Sequence, residues 1–269
     1  MNKSRYTRCK CLILVCLITI FSTSLAKILF IHMNYSKDFA QYQLMQDELE
    51  INMTRSSENQ KCGSKNNSNS KKEAEKLTGG NEKLKSLKER NEDFLGWLSV
   101  EGTKINYPVM TSPYDPEFYL SRNFEKEYSF SGTPFTDSDI TDQCRNLLIH
   151  GHNMKNGTMF SDLLKYEDEI FCREHPVIVF ETAEQRDTYK IIAAFPVEIT
   201  SESGKRKFHC YDYAGELSRE RFEEYIENVK AEALYYIDEN IQYGEQLLTL
   251  STCSYHAKNG RFVVVAHRS

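Results

Sequence analysis

Beyond about residue 102 the chain becomes a succession of short apolar runs rich in β-branched and aromatic residues, at 105–110, 146–149, 177–181, 188–195, 247–250 and 262–266. Runs of that length predict buried strands. The turn residues between them (Ser112-Pro113, Asp115-Pro116, Asn156-Gly157 and Lys258-Asn259-Gly260) predict sharp changes of direction. Many short strands punctuated in this way point to a sandwich or a closed barrel. Two stretches carry helical spacing instead. In 82–98, Leu84, Leu87, Phe94, Leu95 and Leu98 recur among charges, a stripe suited to packing against the strands. After Ser218, a candidate N-cap with Glu220 in the first turn, residues Phe222, Tyr225, Ile226, Val229, Ala233 and Ile237 fall on one face.

The first 33 residues break this pattern. Lys3, Arg5, Arg8 and Lys10 precede an apolar run over 11–25, as in a membrane-targeting segment whose positive charges stay in the cytoplasm. Ser24-Leu25-Ala26 fits a signal-peptidase site, whereas the apolar residues of 28–33 extend the run toward the roughly 20 that a spanning helix needs. Residues 34–80 are mostly polar, and the run NQKCGSKNNSNSKK at 59–72 lacks the apolar side chains that would offset the entropy of ordering. A tether is expected there, with a short helix at 41–50, and folding is expected to begin near residue 81.

Composition adds limits. A chain of 269 residues with 40% hydrophobic residues can hold one sizeable domain and extra segments. Its net charge of -5 offers no basic footprint for nucleic acid, which is not expected as a partner. Of the 8 cysteines, Cys9, Cys11 and Cys16 lie in the targeting segment, which leaves Cys62, Cys144, Cys172, Cys210 and Cys253. Five is odd. No CxxC spacing supports a zinc site among them, one bridge among Cys144, Cys172 and Cys210 stays open, and the thiol left over suits a free nucleophile.

The chemistry concentrates in the last strand pair, LLTLSTCSYHAKNGRFVVVAH at 247–267. Cys253 closes the first strand and Arg261 opens the second, so a cation sits beside a thiol whose thiolate is the reactive form. The run at 147–149 leads into His150, Gly151 and His152, with both imidazoles on one face and a glycine between them that permits close approach. These residues resemble a sortase. The resemblance rests on Thr249-Leu250-Ser251-Thr252-Cys253, on Gly151-His152-Asn153-Met154 and on Arg261. Supporting stretches are WLSVEGTKINYPV at 97–109, GTPFTD at 132–137 and Gly157-Thr158-Met159-Phe160. Together they are similar to class B sortases from about residue 91 to the C-terminus.

The resemblance implies a mainly β fold, a closed eight-stranded sortase barrel with N-terminal helices and an added long helix before the cysteine strand. It also implies a division into a signal anchor at 1–33, a polar extracellular tether at 34–80 and a catalytic domain at 81–269, held at the bacterial cell surface by an uncleaved single-pass helix. The implied activity is a cysteine transpeptidase that cleaves an NPxT-like C-terminal sorting motif of secreted proteins after threonine and joins the acyl group to an amine of peptidoglycan or its lipid-linked precursor. Cys253 would be the nucleophile, His152 the acid and base, and Arg261 the oxyanion donor. Leu120, Ser251 and Phe208 would line the substrate groove. No cofactor and no metal are called for. His150 stands where the family commonly has an aromatic, and His256, three residues after Cys253, competes as a partner for the thiol. A cysteine or zinc-dependent hydrolase and a non-catalytic surface-anchored binding protein are the alternatives.

Overall fold

A computed structural model describes residues 3–58, 82–137, 141, 143–198, 208–237, 241–254 and 260–269, with side chains in the first helix over 12–49. The first helix, α1 (Lys3–Glu58), runs without a break from the basic end through the apolar stretch. Its large apolar side chains from Leu12 to Met33 are exposed apart from half-buried Ile31, and it is long and apolar enough to cross a membrane. The polar stretch from 34 to 58 was expected to be a tether with one short helix; it continues α1, and Tyr42 and Met45, at 1% and 2% exposure, pack into the main core. Residues 59–81, with Cys62, lie outside the described residues.

A short helix α2 (82–90) buries Leu84 and Leu87. The helical stripe expected to reach Leu98 stops there, because Asn91 turns the chain, its side chain accepting from Asp93 N–H at 3.0 Å and donating to the Phe124 carbonyl at 2.6 Å. Phe94, Leu95 and Leu98 belong instead to strand β1 (Phe94–Val100), paired on both sides. The other strands are β2 (Asn106–Thr111), β3 (Phe135–Thr136), β4 (Cys144–Gly151), β5 (Val177–Glu181), β6 (Arg186–Glu198), β7 (Gly215–Glu216), β8 (Tyr235–Tyr236), β9 (Leu247–Cys253) and β10 (Gly260–Arg268). A helix α3 (Glu169–Glu174) follows β4 and a longer helix α4 (Arg219–Glu232) follows β7. In the order β10-β9-β4-β3-β2-β1-β5-β6 the strands form a mixed barrel, closed by β10 pairing with β6; β7 and β8 attach outside that ring. The β2–β3 and β4–β9 pairs are parallel and the rest antiparallel.

Alternation along β10 shows why its central run, 262–266, is apolar without a break. Phe262, Val264 and Ala266 fill the barrel interior, while Val263 and Val265 face a second core under α4. Ser218 caps α4 by accepting from Arg221 N–H at 3.3 Å, and Phe222, Tyr225, Ile226 and Val229 are its buried face. Tyr225 also bonds Thr249 of β9 at 2.7 Å, so the helix is pinned to the cysteine strand. The stripe expected to run to Ile237 ends earlier, since Tyr235 and Tyr236 leave the helix to pair with β6 as β8. Cys144, Cys172 and Cys210 are buried free thiols, so the bridge left open among them is absent.

Candidate active site

Three strand ends meet at one rim of the barrel. Parallel pairing of β4 and β9, with His150 opposite Ser251 and Gly151 opposite Thr252, brings both C-terminal ends to the same rim. β10 starts there, and its Arg261 lies directly across the ladder from Cys253. Thr252 Oγ1 donates to the Gly151 carbonyl at 2.8 Å, and Asn153 Nδ2 donates to the Cys253 carbonyl at 2.9 Å. The end of β9 is thereby tied to the segment that follows β4.

Gly151 has a steric reason, because a Cβ there would lie 2.5 Å from the ring of buried Phe160. The Phe160 N–H donates to the His152 carbonyl at 2.9 Å, so this ring and backbone support the histidine. His152 Nε2 donates to the Leu120 carbonyl at 2.8 Å. A carbonyl oxygen carries no proton, so Nε2 holds one and Nδ1 is the ring position left to gain and lose another.

The Cys253 thiol is held below the ordinary thiol range, first by its hydrogen bond with His152 and then by the Arg261 cation, against the opposing effect of burial. The His152 imidazole is pushed up by the same bond and, more weakly, by the Leu120 carbonyl; burial and Arg261 oppose it. Opposite displacements of the two groups favour a thiolate beside an imidazolium. Arg261 donates from Nη1 to the Gly260 carbonyl at 3.3 Å, and its cation works against the upward push that burial exerts on the Tyr211 phenol.

A cleft of about 260 Å³ opens over these groups, with Leu120, His150, Tyr211 and Ser251 in its lining and the carboxylates Glu117 and Asp137 at its edge. Ser251 Oγ and Tyr211 Oη are 3.3 Å apart. His150 takes the place of an aromatic in fact: it stacks on Tyr211 with centroids 5.4 Å apart at 17° and packs on Phe135 at 5.3 Å. Its Nε2 lies 3.3 Å from Asp137, whose carboxyl it holds below the usual range. Phe208 is not brought to the cleft. It packs against Phe195, Tyr213 and Tyr225 in the second core, and Tyr211, three residues on, occupies the cleft wall instead. His256 and most of the β9–β10 turn lie outside the described residues. Among the described residues no group of three or more His, Cys, Asp or Glu side chains is placed to hold a metal ion. A larger hollow of about 520 Å³ opens at the opposite end of the barrel, but its one thiol, Cys144, is pushed up by burial and has no imidazole in the lining.

A sortase domain model matches residues 98–269. Sortase B of Listeria monocytogenes is 32% identical over 187 residues, covering 68% of this chain and 72% of the relative. The crystal structure of Clostridium perfringens sortase B superposes with a TM-score of 0.60 at 31% identity, covering 69% of this chain and 98% of that one. The Staphylococcus aureus sortase B–substrate complex, at 23% identity, shares the fold with a TM-score of 0.67 over 88% of this chain and 98% of its own. The rim geometry and these likenesses lead to one conclusion: the chain belongs to the sortase family as a class B enzyme, a transpeptidase of the sortase B type.

Proposed function

We propose that Cys253 is the nucleophile of this transpeptidase, His152 its acid and base, and Arg261 its oxyanion donor. The Cys253 thiolate attacks the carbonyl carbon of the threonine of an NPxT-like sorting motif, and the negative charge that develops on the carbonyl oxygen is met by the Arg261 guanidinium. Collapse expels the C-terminal fragment as an amine that takes its proton from His152, leaving a thioester. An amine of peptidoglycan or of its lipid-linked precursor then gives a proton to His152, attacks the thioester and releases the thiolate. The cross-ladder position of Arg261 and Cys253, at the rim where β4 delivers His152 to the same cleft, is the observation that carries the assignment. Leu120 and Ser251 are the groove positions we assign to the motif, and Tyr211 joins them in place of Phe208.

In this reading the apolar part of α1 is a single membrane anchor, with residues 34–80 and the catalytic domain at 81–269 on the outer surface, where secreted proteins bearing sorting signals and the cell-wall amine are met. The test is the purified protein with a sorting-motif peptide, with and without an amine. Wild type is expected to give cleavage and an amine adduct, and Cys253→Ala neither. Activity of Cys253→Ala near wild type would remove the cysteine mechanism, and cleavage that never yields adduct would make the protein a hydrolase.

A further inference from the structure

The helix that emerges from the apolar stretch carries a buried carboxylate. Asp38 of α1 is 3% exposed, and donors from a single loop surround it: Ser129 Oγ at 2.6 Å, Asn123 Nδ2 at 3.3 Å and Ser131 Oγ at 3.4 Å. A buried carboxylate needs such donors to offset its lost hydration, so the loop and the helix hold each other in one geometry. Its neighbour Lys37 turns outward to Glu127 at 2.6 Å.

The same loop returns to the cleft. While donating to Asp38, Ser129 Oγ accepts from the backbone N–H of Ser131 at 3.2 Å and of Gly132 at 3.1 Å. Gly132, at φ +58, sits so close to the preceding turn that a Cβ would lie 2.6 Å from the carbonyl oxygens of both Tyr119 and Leu120. Thr133 N–H donates to the Tyr119 carbonyl at 3.0 Å, and Tyr42 of α1 donates to the Gly132 carbonyl at 3.1 Å. The Leu120 carbonyl is the one that accepts from His152 Nε2.

We infer that Asp38 is a positioning residue for the reaction: from the anchor helix it fixes the 129–133 turn, and through that turn the Leu120 carbonyl that seats the His152 ring. The inference rests on the role proposed above for His152. It makes α1 part of the active-site scaffold as well as a link to the membrane. A base displaced by a fraction of an ångström loses rate before it loses substrate affinity, so the effect belongs on kcat.

The experiment uses the full chain in detergent micelles. Asp38→Ala is expected to lower kcat about tenfold, the worth of one hydrogen bond to a charged group, with KM changed less than about twofold. The pH midpoint of Cys253 alkylation is expected to rise in the same variant, since His152 then loses an acceptor that favours its charged form. Asp38→Asn keeps an acceptor for Ser129 and is expected to recover most of kcat, and Lys37→Ala is expected to leave it unchanged. Should Asp38→Ala fail to fold, Ser129→Ala cuts the same link from the loop side. A folded Asp38→Ala or Ser129→Ala with wild-type kcat and alkylation midpoint overturns the inference, as does Asp38→Asn remaining as slow as Asp38→Ala. A fully active His152→Ala would instead overturn the proposed role of the histidine, which separates the two failures.

Discussion

Gly151→Ala should damage the enzyme from a position that carries no reactive group. The new methyl would lie 2.5, 2.6 and 2.8 Å from three carbons at the root of the Phe160 ring, against an ordinary carbon–carbon contact of about 3.5–4.0 Å. The ring must therefore move by about 1 Å. It cannot swing out of the way cheaply, because Phe160 is fully buried and the atoms met are near its Cβ. Overpacking of this kind costs about 1–3 kcal/mol, and in a domain of this size each kcal/mol lowers Tm by about 2–4 °C, so a fall of roughly 2 to 12 °C is expected. Function should suffer further, since the Phe160 N–H bonds the His152 carbonyl and any shift of the ring drags the imidazole off the thiol. The assay pairs thermal unfolding with kcat on the sorting-motif peptide, measured well below Tm. Phe160→Ala removes all three of the carbons that clash, so in that background Gly151→Ala should cost little further Tm or kcat. A Gly151→Ala protein with wild-type Tm and kcat would refute the claim that the ring dictates glycine at this position.

The lowered Cys253 thiol makes a signed prediction: iodoacetamide should label wild type at pH values below the ordinary thiol range, and His152→Ala, which removes the largest cause of the lowering, should move the labelling midpoint upward. An unmoved midpoint would show that His152 does not share the proton with the thiol. Arg261→Lys keeps the charge but loses the forked donors, so if Arg261 binds the oxyanion its kcat should fall toward that of Arg261→Ala, by about 10² to 10³. Rescue by lysine would instead make Arg261 a simple cation near the thiol, and a fully active Arg261→Ala would remove it from the site.

How legible each element was depended on whether its neighbours imposed the same period as its sequence. β10 was visible because both of its faces are buried, which turns 262–266 into an unbroken apolar run. β1 was hidden for a related reason. It is paired on both edges and buried nearly throughout, so Phe94, Leu95 and Leu98 show no alternation and fall by chance on a helical spacing continuous with α2. Gly96 was the available signal, since a Cβ there would meet the Glu181 carbonyl of the adjoining strand at 2.6 Å, a closeness that a surface helix never demands. Residues 34–49 read as a tether because their apolar contacts are few, chiefly Tyr42 and Met45, and the rest of what orders them is polar. Asp38, Tyr42 and Met45 do stand on one helical face, but nothing in an isolated aspartate announces that a loop 90 residues later will supply its donors. The cysteine, histidine and arginine motifs were legible because strand ends fix where such side chains go. The groove was less so: Phe208 and Tyr211 lie in a segment without periodicity, and only packing decides which ring enters the core and which lines the cleft.

The comparison among the thiols explains why one position and not another is suited to the chemistry. Cys144, Cys172 and Cys210 are all pushed up, in each case first by burial, and Cys210 reaches about 12. Cys210 is the informative one. It neighbours Tyr211 of the cleft wall and feels the same Arg261 cation as Cys253, yet it remains a protonated thiol because it is fully buried and the cation is only a minor influence on it. Proximity to a guanidinium is therefore not enough to lower a thiol in this fold. Cys253 differs in standing at a strand end, partly open to the cleft, where the segment after β4 brings an imidazole within hydrogen-bond reach; that bond, more than the cation, outweighs the cost of burial. The parallel β4–β9 pairing sets this arrangement, since it alone places the ends of both strands at the same rim.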